Sequence, residues 1–153
     1  MTPNLRLVTE RREADALAPA LDAYAAQALA EFRDTPLPEG VCRRFFERHF
    51  ADAESLLVIA ESARGAADMG VCLTGPFEDP LTGERMPSVL ILYVSPGMRH
   101  RGLGRALMDE TLRTLAERGH HKICGRAGHN DDALISMGER WGFVRLWDLL
   151  VRE

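Results

Sequence analysis

The feature that most limits how this chain can fold is a single junction. Ser88 to Val94 is apolar at nearly every position, Ser95-Pro96 breaks the run, and Leu103, Leu107, Met108, Leu112 and Leu115 follow at helical spacing. An unbroken apolar strand is one covered on both faces, which places it centrally in a sheet. A helix with one apolar stripe packs onto such a sheet, leaving Asp109, Arg113 and Glu117 to water and stopping near Gly119. The junction predicts a mixed α/β domain whose two strongest middle strands run parallel.

The rest of the chain supplies the remaining layers. Leu5, Leu7 and Val8 predict a short first strand, and Leu17, Leu21, Tyr24, Ala28 and Phe32 mark one face of a helix from about Asp15 to Phe32, ended by Pro36 and Pro38. A second helix is expected from Val41 to Phe50, with Phe45, Phe46 and Phe50 inward and Arg43, Arg44, Glu47 and Arg48 outward. Ser55 to Ala60 and Met69 to Thr74 read as hairpin partners across a turn containing Arg64-Gly65. Gly75 to Pro87 is dense in turn formers and predicts an exposed loop. Lys122 to Ala127 predicts a thinner strand, Asn130 or Asp131 a cap for a helix reaching Trp141, and Phe143 to Val151 a terminal strand.

Length and composition bound the function. A chain of 153 residues, 46% hydrophobic and 27% charged, fits one domain (1-153) that buries a real core without metal or disulfide staples. A net charge of -4 and a pI near 5.7 argue against a nucleic-acid binder. No stretch has the length of a membrane span or a signal-peptide core, so the expected location is cytoplasmic, with no membrane partner. Cys42, Cys72 and Cys124 are unpaired in sequence and read as reduced thiols, and the five His are too scattered for a metal pair.

The junction also carries chemistry. In Arg99-His100-Arg101-Gly102-Leu103-Gly104-Arg105, two glycines remove side chains where the backbone enters the helix, so unpaired N–H groups there can face an anion along the helix dipole. Arg99, Arg101 and Arg105 concentrate positive charge at that spot in an acidic chain. This is the physics of a phosphate cradle. It has no Lys-Ser/Thr of the Walker type, and Leu107 stands where a dinucleotide fingerprint has Gly or Ala.

An apolar strand ending in Val94-Ser95-Pro96, then Arg99, Gly102 and Gly104 opening a long helix, resembles the acetyl-CoA motif of the GNAT superfamily of N-acetyltransferases. Asn130 to Leu134 leading to Gly142-Phe143 resembles that family's downstream helix. The resemblance spans about Val89 to Phe143. It implies a GNAT-like α/β (α+β) fold with two splayed parallel strands, here Ser88 to Val94 and Lys122 to Ala127, and a cofactor half over about 88-143. The N-terminal third would form the acceptor side.

By the same resemblance, acetyl-CoA is the co-substrate. The backbone of Leu92 and Val94 would hold its pantetheine, and Arg99, His100, Arg101, Gly102, Leu103, Gly104 and Arg105 its pyrophosphate, with Asn130 as a further contact. A strand N–H near Val94 would stabilise the oxyanion formed when a small-molecule or peptide amine attacks the thioester. The family's usual thiolate-protonating Tyr falls on Gly138, and its usual strand base on Ser88 or Leu90. Tyr93 points to the opposite face from Leu92 and Val94. His129, just after the second splayed strand and with an intrinsic pKa suited to proton transfer, is the candidate base.

These gaps keep open a non-catalytic acyl-CoA-binding module of the same fold, and more distantly a nucleotide-binding domain. Glu78, Asp79 and Glu84 could draw a cationic acceptor to the loop at 75-87. Val144, Leu146, Leu149 and Leu150 could pair an edge strand across a homodimer.

Overall fold

The computed structural model describes residues 3–30, 36–127, 131–146, 150 and 152. In chain order these form β1 (Asn4–Leu7), α1 (Arg11–Ala30), α2 (Val41–His49), β2 (Leu56–Ser62), β3 (Gly65–Glu78), β4 (Arg85–Val94), α3 (Leu103–Glu117), β5 (Cys124–Gly125) and α4 (Asp132–Arg140). The five strands make one sheet in sequence order, antiparallel throughout except for the parallel pair β4 and β5. The predicted mixed α/β architecture is the one observed.

Alternation along the strands divides the core in two. Leu57, Ile59, Val71, Leu73 and Ile91 point to one face and pack with Ala14, Ala18 and Leu21 of α1 and Cys42 and Phe46 of α2. Leu56, Val58, Ala60 and Cys72 point to the other face and pack with Leu103, Leu107 and Leu115 of α3. Each face of the sheet is thus sealed by a helix stripe of matching apolar residues. Leu107 is fully buried there, and cutting such a side chain back to Ala costs about 2–5 kcal/mol.

Helix α1 begins four residues earlier than its apolar spacing suggests, where the Ala14 N–H donates to the Glu10 carbonyl, and it runs through Pro19. Its predicted end at Phe32 lies outside the described residues. The Asp131 side chain caps α4, accepting from the Leu134 N–H at 3.0 Å, as the sequence suggests.

The segment from Gly75 to Pro87 is not a loop. Strands β3 and β4 continue pairing through Gly75↔Ser88, Pro76↔Pro87, Phe77↔Met86 and Glu78↔Arg85. Facing prolines lack the N–H groups that a hydrogen-bonded pair exchanges, so they occupy a non-hydrogen-bonded pair of the ladder without breaking it. The true turn is Asp79 to Glu84, where one Asp79 carboxylate oxygen accepts from the N–H groups of Leu81 and Thr82, both at 2.9 Å.

Two further expectations change. Strand β5 is two residues long, not the six of Lys122 to Ala127. Residues 143–146 form no strand, and Val144 and Leu146 are exposed; Trp147 to Leu149 lie outside the described residues. The edge proposed to pair across a dimer is therefore absent from its described part.

Candidate functional site

Two irregularities in β4 shape the site. Leu73 pairs with Ile91 while Thr74 pairs with Val89, so Leu90 is an extra residue, a β-bulge. A bulge bends its strand and shifts the alternation of side chains. On the opposite edge, β5 pairs with β4 only at Ser88↔Cys124 and Val89↔Gly125. Pairing stops where the bulge begins, and from Leu90 to Val94 the β5 side of β4 has no strand partner among the described residues.

The polar groups of that edge can be assigned. Just past the strand end, the Ser95 N–H donates to the Met69 carbonyl of β3 at 2.9 Å. Backbone groups alternate sides along a strand. Those of Val94 and Leu92 therefore point away from β3, toward the open edge. The Val94 carbonyl accepts from Arg99 Nε at 3.0 Å, as that direction requires.

Helix α3 starts beside the same end of β4. Gly102 is its N-cap with φ +81, a left-handed conformation open to glycine and strained for other residues. The first intrahelical bond runs from the Ala106 N–H to the Gly102 carbonyl, so the N–H groups of Leu103, Gly104 and Arg105 have no helical partner. No side chain caps them and no acidic residue stands in the first turn. A Cβ on Gly104 would stand 3.5 Å from Val94 Cγ2. Three unused donors thus sit directly against the end of the open strand edge.

The remaining loop residues divide by side chain. Leu103 is buried in the α3 core and offers only its backbone. His100, at φ +63, Arg101 and Arg105 are exposed, Arg105 lying 3.6 Å from Asp109. The arrangement can hold a di-anionic group at the helix start and a linear amide-bearing arm along Val94 and Leu92.

Other candidates fare differently. His129 and Asn130 lie outside the described residues. Ser88 is buried, and Tyr93 points to the α1 face as expected, stacking on Tyr24 with ring centroids 3.9 Å apart. Gly138 offers no donor, although a Cβ there would meet only Phe143 Cβ at 3.7 Å. Burial pushes the thiols of Cys42 and Cys72 up to about 12 and about 11, Asp22 adding to the shift at Cys42, so neither is a nucleophile at neutral pH.

Two of the three acids of the hairpin, Glu84 and Asp79, are engaged in its own structure. Glu84 pairs with Lys122 at 2.6 Å, and Asp79 is held below the usual carboxylate range by the N–H groups of Thr82 and Leu81. Among the described residues no group of His, Cys, Asp and Glu is placed to hold a metal ion, and no helix is long and apolar enough to cross a membrane.

A cavity of about 330 Å³ opens at the far end of the sheet, between Thr9, Phe50, Asp52, Ser55, Leu56 and Arg118. Leu56 is level with Thr74, four residues along β3 from Gly70, the partner of Val94. That cavity is separate from the loop. Sequence reasoning missed the Leu90 bulge, because no residue type announces a bulge in an all-apolar run.

Comparison with known proteins agrees with this fold. The model of the acetyltransferase (GNAT) family matches residues 19–143. The ribosomal-protein-alanine N-acetyltransferase of Brucella melitensis biovar Abortus 2308 superposes with a TM-score of 0.68 at 22% identity, over 100% of this chain and 99% of that one. A predicted acetyltransferase of Clostridium acetobutylicum, solved with acetyl-CoA, gives 0.74 at 18% identity, over 99% and 96%. AAC(6')-Iy, in complex with the bisubstrate analogue CoA-S-monomethyl-acetylneamine, gives 0.72 at 13% identity, over 100% and 98%. Among curated proteins, none matches the sequence at a significant level. The chain belongs to the GNAT family of acetyltransferases.

Proposed function

We propose that the protein transfers an acetyl group from acetyl-CoA to a primary amine by direct attack. The observation that carries this reading is the meeting of two backbone arrays that have no helix or strand partner among the described residues: the N–H groups of Leu103, Gly104 and Arg105, and the open edge of β4 ending at Val94. The first suits a pyrophosphate, with Arg99, Arg101 and Arg105 adding charge and the backbone of His100 and Gly102 completing the loop. The second suits pantetheine, whose amides pair with Leu92 and Val94 as an added strand would. Because the arm starts at the donors beside Val94 and runs along the edge, the thioester lies toward Leu90. The N–H that faces its oxygen as negative charge develops belongs to that end of β4 and not to Val94, where the resemblance alone would put it.

The amine must lose a proton before it attacks, and we assign that step to His129, which follows β5 in sequence, with Asn130 as a cofactor contact. The acceptor is a small-molecule or peptide amine, the two kinds of substrate represented by name among the structural neighbours. Free-thiol release from acetyl-CoA, measured across polyamines, aminoglycosides and peptide N-termini, tests the activity. Amine-dependent thiol release is the expected result.

A second reading, an acyl-CoA-binding module without turnover, is favoured by the Gly at position 138 and the buried Ser88. It predicts acetyl-CoA binding with no thiol release above the rate without amine.

A further inference from the structure

The open edge of β4 has a closed end. From the donors beside Val94, an arm lying along the edge passes four residues, about 13 Å at strand spacing, before it reaches Leu90. One residue further, the Val89↔Gly125 pair shuts the gap between β4 and β5. Whatever the arm carries at its tip must fit at Leu90 or turn out of the sheet there.

The exit toward α1 and α2 is walled. Because Leu90 is the bulge residue, it shares a face with its neighbour Ile91, whose side chain packs with the α1 and α2 core. The missing side chain of Gly75 lets α2 come close: a Cβ there would stand 2.4 Å from Phe45 Cζ and 2.9 Å from Leu90 Cδ1. Phe45 and Leu90 therefore meet over Gly75 at the bulge. Leu90 keeps 37% of its surface exposed and Phe45 is half-buried, so this apolar step faces space that a bound group would fill. The exit on the α3 side is occupied by Val89 and Ile123, both packed against the α3 core.

We infer that Phe45, brought over the bulge by Gly75 and backed by Leu90, is the stop that sets the length of the acyl group. The inference rests on the proposed cofactor reading, since it places the thioester at the Leu90 end of the open edge. With the gap shut at Val89 and the face shut by Phe45, each carbon added to the acyl chain brings it closer to the ring. Surplus methylenes in a closed apolar pocket are discriminated against by about tenfold or more.

The test is calorimetric titration of CoA, acetyl-CoA, butyryl-CoA and hexanoyl-CoA into the wild type, Phe45→Ala and Phe45→Leu, with no acceptor present. Circular dichroism and melting temperature check the fold of each variant, and Phe45→Leu keeps an apolar side chain in place should the alanine chain fail to fold. CoA and acetyl-CoA should bind the wild type alike, butyryl-CoA and hexanoyl-CoA at least about tenfold more weakly. The gap should close in Phe45→Ala and narrow in Phe45→Leu. Hexanoyl-CoA binding the wild type as tightly as acetyl-CoA, or a gap unchanged in the folded variants, would overturn the inference while leaving the cofactor site standing. Absence of CoA binding to the wild type would overturn the cofactor reading and this inference with it.

Discussion

Arg99 Nε donates to the carbonyl of Val94 at 3.0 Å, so the first arginine of the loop is fastened to the last residue of the open strand. This contact uses one of the backbone groups that pantetheine would engage. Arg99 thus has two opposed effects on cofactor binding, competing for the Val94 carbonyl and adding charge beside the pyrophosphate donors. The charge should win, because the exposed carbonyl is readily solvated when Arg99 leaves it, whereas a phosphate gains a charge-assisted bond. Arg99→Ala is expected to weaken acetyl-CoA binding roughly tenfold, and the loss should shrink at high salt. Titrations at low and high ionic strength measure both; tighter binding in the variant would show the competition to dominate.

The two glycines of the cradle should respond in opposite ways to alanine. Gly102 sits at φ +81, where a Cβ is strained whatever the space around it, and Gly102→Ala should lower stability by about 1–2 kcal/mol. Gly104 lies inside α3 with its Cβ position at ordinary contact distance from Val94. Gly104→Ala should therefore raise the stability of the free protein by up to about 1 kcal/mol. Denaturant melts of the two variants settle this, and equal destabilisation of both would contradict the helix-start geometry.

The difference between these glycines bears on what the sequence makes legible. The strand-to-helix junction from Ser88 to Leu115 is local, its apolar periods are long, and its fold and candidate cofactor loop can be read from residue types alone. The hairpin tip cannot be read so simply. Pro76 and Pro87 look like breakers until they are placed opposite each other, and that pairing is a property of register, not of either residue. The shortness of β5 escapes for a related reason: it follows from the bend at Leu90, which depends on how β3 pairs with β4. The meeting of Phe45 and Leu90 over Gly75 joins residues from three elements and has no linear signature.

The hairpin is pinned to the α2–β2 connection by Arg85, whose Nε donates to Glu54 at 2.5 Å and whose Nη2 reaches Asp52 at 3.2 Å. The Arg85 hydrogen bond holds the Glu54 carboxyl below its usual range, against the opposing effect of burial. A carboxyl depressed in the folded state stabilises the fold above its unfolded pKa of about 4.3 and loses that contribution as pH falls through the folded value. The wild type should accordingly melt above Glu54→Gln at neutral pH, with the gap narrowing on acidification. Thermal melts of both proteins in a pH series check it; a gap independent of pH would remove the ion pair as its cause.

Tyr24 and Tyr93 join α1 to β4 by parallel stacking, and the Tyr24 hydroxyl donates to the Ala67 carbonyl at 3.2 Å. Burial, with Tyr93 and Asp68 nearby, raises the Tyr24 pKa, which keeps that hydroxyl a donor at neutral pH. Tyr24→Phe should cost about 1 kcal/mol. A double-mutant cycle truncating both rings should return a coupling of about 0.5–1.5 kcal/mol. Zero coupling from denaturant melts would mean the stack contributes only its separate burial.

The proton-transfer assignment has its own signature. If His129 deprotonates the amine, His129→Ala should lower the transfer rate by about 10²-fold or more while leaving acetyl-CoA affinity unchanged. The acid limb of the rate profile should move with it. An unaltered pH–rate profile would remove His129 from the mechanism.

The central claim is that the N-terminus of α3 and the open edge of β4 together form an acyl-CoA site. Calorimetric titration of acetyl-CoA into the wild type and into Gly104→Glu tests it most directly, because the new carboxylate would stand at the start of α3 beside Val94, where the pyrophosphate is placed. Binding at one site per chain in the wild type and none in the variant is the predicted result. No binding to the wild type, or equal binding to both, would contradict the assignment.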